Sequence, residues 1–213
     1  MISLKTLVFN PFQENTYLIY DETNECVIID PGMSNIHEEK TFVDTIETLN
    51  LKPVKAILTH AHIDHVLGCS FVFEKYGLLP EAHSGDEFFL EQTAAYAGQF
   101  GMSVAKNPPS LGKHLNESDE IAFGNSRLEI IHVPGHSPGS LLYYNRESEI
   151  LISGDVLFLE SIGRSDLPGG NHSQLISGIK EKLMTLPDNV KVYPGHGPKT
   201  SIINERNGNP FLV

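Results

Sequence analysis

Residues 59–65 read Thr59-His60-Ala61-His62-Ile63-Asp64-His65, directly after the apolar run Val54 to Leu58. Three imidazoles and a carboxylate at the tip of a strand are costly to bury without a partner. Neutral imidazole and carboxylate together are also the usual donors to zinc. His60 and His62 stand like neighbouring teeth on an extended chain, whereas Asp64 and His65 point elsewhere. That spacing suits two metals better than one.

The same grammar recurs along the chain. Cys26 to Ile29 runs into Asp30-Pro31-Gly32. Leu128 to Val133 runs into Pro134-Gly135-His136-Ser137-Pro138-Gly139. Glu149 to Ser153 runs into Gly154-Asp155, and Val190 to Tyr193 runs into Pro194-Gly195-His196-Gly197. Each is a short β-branched or apolar run that stops at Gly or Pro beside a His or Asp, the pattern of a strand delivering a residue to a loop. In sheets flanked by helices, ligands collect beyond the carboxyl ends of strands. Five such ends facing one way would build one site. The ligand pool is therefore His60, His62, Asp64, His65, His136, Asp155 and His196.

These residues, His60-x-His62-x-Asp64-His65, His136 in Gly-His-Ser-Pro-Gly-Ser, Asp155 and the late Gly-His196-Gly, resemble the metallo-β-lactamase superfamily. Ser161-Ile-Gly-Arg164-Ser-Asp166-Leu-Pro-Gly-Gly170 looks like its glyoxalase II-like (hydroxyacylglutathione hydrolase-like) branch in short form. So does Pro194 to Pro198 followed by Glu205 and Asn209-Pro-Phe-Leu212. The resemblance implies an α/β (α+β) fold, a four-layer αββα sandwich with the metal site at the open edge between two mixed sheets. It also implies a division of the pool: His60, His62 and His136 on one metal, Asp64, His65 and His196 on the other, and Asp155 bridging. A carboxylate can span two cations roughly 3.5–4 Å apart, and an imidazole nitrogen cannot. Two divalent ions are expected, zinc in first place, with iron or manganese as alternatives.

A chain of 213 residues with 40% hydrophobic content can bury one core, and no Pro/Ser/Gly linker divides it. Residues 1–213 are expected to form a single domain. Family members with an added C-terminal helical substrate region need more than the 17 residues that follow His196. This departure puts the identity of the thiol carrier in question. No run of 18 apolar residues exists, and Met1 to Tyr20 lacks a basic start and a cleavage site. The expectation is a cytoplasmic protein with no membrane partner. Cys26 and Cys69 are too few for a disulfide framework. A net charge of −12 without a Lys/Arg cluster argues against nucleic acid. An anionic substrate stays open, because bound cations would set the local field. Oligomeric state is not legible.

Helices are expected around Phe42, Val43, Ile46 and Leu49, ending at Asn50; from Ser70 to Tyr76, ended by Gly77; from Glu87 to Gln99, capped by Asp86; and from Gln174 to Leu186, opened by Ser173. Leu141–Asn145 and Glu149–Ser153 should form a hairpin. The irregular stretch Ser84 to Gly112, with Phe88, Phe89, Tyr96, Phe100 and Met102, is either a packed helix and loop or one wall of a pocket.

Asp30 reads as an acceptor that orients a ligand or the loop amides, or as a turn cap. Arg164 could grip a substrate carboxylate bidentately, or pair with Asp166 and brace its loop. His37, His83, His114, His132 and His172 lack the motif context. A metal-bridging hydroxide held by Asp64, Asp155 and the histidines fits hydrolysis of a small-molecule thioester, because a thiol of pKa about 8.5 leaves without a strong acid. The glyoxalase II-like resemblance implies a 2-hydroxyacyl thioester, such as a lactoyl conjugate of glutathione or another small thiol. The rival from the same superfamily is a mononuclear iron sulfur (persulfide) dioxygenase using His60, His136 and Asp155. β-Lactam hydrolysis is disfavoured, since Asp155 stands where a thiolate would be expected.

Overall fold

The computed structural model describes residues 1–99, 104 and 107–212. Two six-stranded mixed sheets form its centre. The first runs β1(Ser3–Phe9), β2(Glu14–Tyr20), β3(Glu25–Ile29), β4(Lys52–Ile57), β5(Pro80–Ala82) and β6(Lys113–His114) in that spatial order. Its first three strands are antiparallel, and β3 to β6 are parallel. Three helices, α1(Ile36–Thr48), α2(Ile63–Val66) and α3(Cys69–Tyr76), lie before β5, and α4(Glu87–Gln99) lies between β5 and β6.

The second sheet uses β7(Glu120–Phe123), β8(Ser126–His132), β9(Leu141–Asn145), β10(Ile150–Gly154), β13(Lys191–Pro194) and β14(Thr200–Ser201). Its spatial order is β14-β13-β10-β9-β8-β7. A small ribbon of β11(Leu157–Phe158) and β12(Ser161–Ile162) follows β10. The helices α5(His172–Gly178) and α6(Ile202–Gly208) complete the chain.

The period of two along each strand explains the layers. Tyr17, Ile19, Val27, Ile29 and Ile57 face Leu128, Ile130, Leu141, Tyr143 and Ile152 across the gap between the sheets. The alternate residues Leu18, Cys26 and Ile28 pack outward on Phe42 and Ile46 of α1 and Val72 of α3. On the far side, Leu142, Tyr144, Leu151 and Val192 pack on Leu175, Ile179 and Leu183. Because both faces of each sheet are covered, the central runs 26–29 and 150–152 are apolar without alternation. Each fully buried Leu or Ile side chain contributes about 1.5–3 kcal/mol.

α3 ends where expected, at the left-handed Gly77, and α1 stops at Thr48, two residues before the expected Asn50. α1 begins at Asn35, whose side chain accepts from the His37 and Glu38 amides. Two expectations fail. The last long helix is opened by Asn171, which accepts from the Gln174 amide, and not by Ser173; it passes into a π turn over Ile179–Leu183. Asp86 does not cap α4. It ends a 3-10 turn at Ser84–Asp86, and its carboxylate turns inward. Phe100 and Met102 lie outside the described residues.

Two tyrosines and an asparagine lock the sheet ends that carry the site. The Tyr143 hydroxyl donates to the Leu58 carbonyl at 2.6 Å, and the Tyr17 hydroxyl to the Pro194 carbonyl at 2.6 Å. The Asn15 side chain donates to the Pro194 and Gly197 carbonyls, at 2.9 and 3.0 Å.

Candidate metal centre

The carboxyl ends of β3, β4, β8, β10 and β13 meet at one edge, and all seven residues of the ligand pool come together there. Two groups stand out. The ligand atoms of His60, His62 and His136 lie within 4.8 Å of one another, as do those of Asp64, His65 and His196. Asp155 sits between the groups. Its Oδ2 is 3.7 Å from His136 Nε2 and 3.6 Å from His196 Nε2, and its Oδ1 is 3.5 Å from His65 Nε2.

Hydrogen bonds behind the rings fix which nitrogen faces inward. His136 Nδ1 donates to the Arg164 carbonyl at 2.7 Å, which turns its Nε2 toward the other two rings. That Nε2 lies 2.9 Å from His62 Nδ1 and 3.2 Å from His60 Nε2. His196 Nδ1 donates to the Phe12 carbonyl at 3.0 Å and turns Nε2 to within 3.0 Å of Asp64 Oδ2.

Asp30 organises the remaining two rings. It follows β3 with a left-handed φ of 51°, a conformation Asp tolerates better than most residues. Oδ1 accepts the Thr59 amide at 2.6 Å, and Oδ2 accepts the Thr59 hydroxyl at 2.6 Å and His65 Nδ1 at 2.9 Å. Since the Thr59 hydroxyl donates to Asp30, its oxygen is left to accept from His60 Nδ1, 3.1 Å away. His60 Nε2 is thereby bare. Asp30, His60 and His65 also converge within 4.8 Å, but Asp30's oxygens are already used as acceptors, which suits orientation better than ligation.

Burial and neighbouring charge divide the two groups. Burial pushes His60 far below the ordinary imidazole range, with His65, His62 and His136 adding to it. Burial and then His136 push His62 down to about 3. These rings are neutral and able to donate lone pairs. In the second group burial opposes charge and loses. The carboxylates of Asp64, Asp30 and Asp155 raise His65, and hydrogen bonding to Asp64 raises His196. His65 and His196 in turn hold Asp64 below the usual carboxylate range.

The atoms fit a cation in chemistry as well as position. His62 Nε2 of the first group is buried without a hydrogen-bond partner, as are His65 Nε2 and Asp155 Oδ1, which lie 3.5 Å apart. Unpaired buried polar atoms of this kind cost free energy that a bound cation would offset. Gly195 belongs to the same design: a Cβ there would overlap Asp155 Oδ1 and lie 2.7 Å from His65 Cε1.

Asp86, read from sequence as a helix cap, is a functional element that the sequence reading missed. Fully buried, it accepts from the Ala61 amide at 3.2 Å, the Ser137 hydroxyl at 2.7 Å and the Gly139 amide at 2.7 Å. It therefore ties the loop of His60 and His62 to the loop of His136. The available signal was the short strand Pro80–Ala82, followed within four residues by Gly85-Asp86.

Arg164 lies at the rim with its guanidinium on Asp166, Nε to Oδ1 and Nη2 to Oδ2 both at 2.8 Å. Cys26 and Cys69 are buried free thiols. Burial pushes the Cys26 thiol up to about 12, and neither cysteine belongs to a ligand group among the described residues. Above the groups opens a cleft of about 310 Å³, lined in part by Phe12, Ile63, Phe89, Tyr96, Arg164 and Leu167.

A family model of the metallo-beta-lactamase superfamily matches residues 9–196, from β1 to the last of the seven residues. The chain belongs to the metallo-beta-lactamase superfamily. It is 38% identical over 205 residues to the probable metallo-hydrolase YqgX of Bacillus subtilis, covering 95% of this chain and 93% of that protein. To the hydroxyacylglutathione hydrolase GloC of Haemophilus influenzae it is 33% identical over 218 residues, covering 99% and 98%.

Solved structures agree on the fold. The BLEG-1 B3 metallo-beta-lactamase superposes with a TM-score of 0.88 at 35% identity, covering 99% of this chain and 100% of that one. TTHA1623 in a di-iron-bound form gives 0.88 at 36% identity, covering 98% and 100%. ETHE1 from Myxococcus xanthus gives 0.77 at 27% identity, covering 98% and 83%. Within this metal-binding hydrolase superfamily, the αββα sandwich is the established fold. Among the described residues, no helix is long and apolar enough to cross a membrane.

Proposed function

We propose that this protein is a binuclear metal-dependent hydrolase of acyl thioesters, with a 2-hydroxyacyl thioester of a small thiol as its first substrate to assay. The observation that carries the reading is Asp155, whose carboxylate lies 3.7 Å from His136 of one ligand group and 3.5–3.6 Å from His65 and His196 of the other. In this reading His60, His62 and His136 hold one ion and Asp64, His65 and His196 the other. Asp155 spans both, and Asp30 orients His65 and, through Thr59, His60. A pair of divalent cations, zinc in first place with iron or manganese as alternatives, supplies when bound a hydroxide nucleophilic at neutral pH and polarisation of the carbonyl oxygen.

The chain's own residues account for the rest. Asp64 and Asp155 are the carboxylates at the floor of the cleft. Asp64 lies among imidazoles that hold it in its ionised form, so it is not suited to protonate a poor leaving group. A thiolate leaves without such help, which favours a thioester over an amide. The 33% identity to a protein named as a hydroxyacylglutathione hydrolase supports the same substrate class.

Two other chemistries have specific support and belong in the same assay. The 35% identity to a B3 metallo-beta-lactamase supports β-lactam hydrolysis, although Asp155 occupies the bridging position. His60, His136 and Asp155, with their ligand atoms within 3.2–3.7 Å along the chain of contacts, would also serve a mononuclear iron sulfur dioxygenase. The run Ser165-Asp166-Leu167-Pro168-Gly169-Gly170 after Arg164, which resembles the thioesterase branch, is what favours the hydrolase. Metal-loaded protein should release thiol from S-lactoyl thioesters with kcat/KM well above that for a β-lactam, and should consume no oxygen with a persulfide. Oxygen uptake without thiol release would replace the hydrolase reading by the oxidative one.

A further inference from the structure

We propose that the cleft selects thioesters whose acyl group carries an apolar chain or aryl ring beyond C2, larger than the methyl of a lactoyl group. The inference rests on the thioester hydrolase reading above and concerns which acyl group that site accepts.

The walls carry it. Phe89 and Tyr96 are seven residues apart on α4, hence on one face of the helix, and both line the cleft. Phe89 sets its ring against His62, with centroids 4.8 Å apart at 75°, so the aromatic surface begins at the ligand group itself. Thr93 lies between them on the same face. Its hydroxyl donates to the Phe89 carbonyl at 3.1 Å, which leaves the methyl to meet a ligand. Phe12, whose carbonyl accepts from His196, together with Ile63 and Leu167 adds further apolar lining. Above the floor, the one charged residue among the described lining is Arg164, whose fork already holds Asp166.

A scissile carbonyl placed beside Asp155 has two arms to accommodate. The thiol carriers of biological thioesters are polar, peptide-like or nucleotide-like molecules that keep their hydration. A cleft of about 310 Å³ is at the small end for ligand sites, too small and too apolar for such a carrier. The acyl arm therefore enters the cleft, and the carrier points to solvent. A lactoyl methyl would leave the surfaces of Tyr96 and Leu167 uncovered. Extending the arm onto them removes apolar surface from water, and each methylene in a hydrophobic pocket is worth about tenfold or more in discrimination.

The test uses metal-loaded protein and three thioesters of one uncharged thiol, N-acetylcysteamine, with lactoyl, 2-hydroxyhexanoyl and mandeloyl groups. The expected result is a kcat/KM for the two larger substrates at least about tenfold above that for lactoyl. Tyr96→Ser and Leu167→Ser should each reduce that ratio severalfold, with metal content measured alongside. If neither variant folds, the wild-type series decides alone. Equal or higher kcat/KM for lactoyl overturns this inference and leaves the hydrolase reading standing. No thiol release from any of the three overturns both.

Discussion

The Ser137 hydroxyl donates to Asp86 Oδ2 at 2.7 Å, and the same oxygen accepts the Ala61 amide from the facing loop at 3.2 Å. One buried carboxylate thus sets the distance between His136 on one sheet and His60 and His62 on the other. Loops that carry ligands are otherwise the least constrained parts of a fold.

Replacing Asp86 by Ala leaves the Ala61 and Gly139 amides without acceptors and the Ser137 hydroxyl with only Ser140 Oγ, 2.8 Å away. Each unsatisfied buried donor costs about 1–3 kcal/mol, and partial relaxation brings the expected loss to about 3 kcal/mol. Urea unfolding of metal-free protein measures it. In metal-replete protein the variant should bind less tightly at the group of His60, His62 and His136 than at the other. A loss below 1 kcal/mol with unchanged metal affinity would show that the loops hold their spacing without Asp86.

Gly195→Ala places a methyl against the Asp155 carboxylate and His65. The backbone on either side is fixed by the Asn15 and Gly195 amides, so the carboxylate must move. Metal content should drop by about half or more, while the melting temperature of the metal-free protein changes little. Wild-type metal content in the variant would remove Asp155 from between the two groups.

The imidazole of His62 is held down to about 3 by burial and by His136, against about 6.5 in an unfolded chain. Between those values the unfolded chain binds a proton that the folded chain refuses. The contribution of His62 therefore falls as pH drops from about 6.5 toward 3, at a limiting ~1.4 kcal/mol per pH unit. In metal-free protein, stability from pH 6.5 to 5 should fall less steeply for His62→Gln than for wild type. Identical slopes would mean that His62 protonates freely in the folded state.

Arg164 and Asp166 pair at the rim, and both side chains are mostly exposed. The pairing holds the Asp166 carboxyl down at about 2, yet exposed pairs contribute little to stability. With its fork occupied, Arg164 offers a substrate carboxylate poor access. Arg164→Ala should change kcat/KM for charged and neutral thioesters by similar factors. A rise in KM confined to charged thioesters would give Arg164 the recognition role instead.

Much of this site is legible in the sequence because its chemistry is concentrated at strand ends. An apolar run that stops beside a His or Asp identifies a strand and its cargo together; four such runs bring in all seven candidate ligands and a fifth brings Asp30. What stays hidden depends on tertiary neighbours. Asp86 precedes a helix, so local rules assign it to capping; its actual partners are 25 to 53 residues away. The left-handed turn at Asp30 and the use of Phe12 and Arg164 carbonyls to aim histidines are backbone facts with no compositional trace. The cleft wall joins α4, within the stretch Ser84 to Gly112 expected to form one wall, to a loop some 70 residues later.

The most direct test is a metal titration of chelator-stripped protein with bound metal and thiol release from an S-2-hydroxyacyl thioester followed together. The expected result is no hydrolysis without metal and a rate that saturates as the second equivalent binds. Asp155→Ala should lower both capacity and rate, the rate by more than the roughly 10–100-fold that loss of an outer partner costs. Full hydrolysis by the metal-free protein, or a rate complete at one bound equivalent, would contradict the binuclear account.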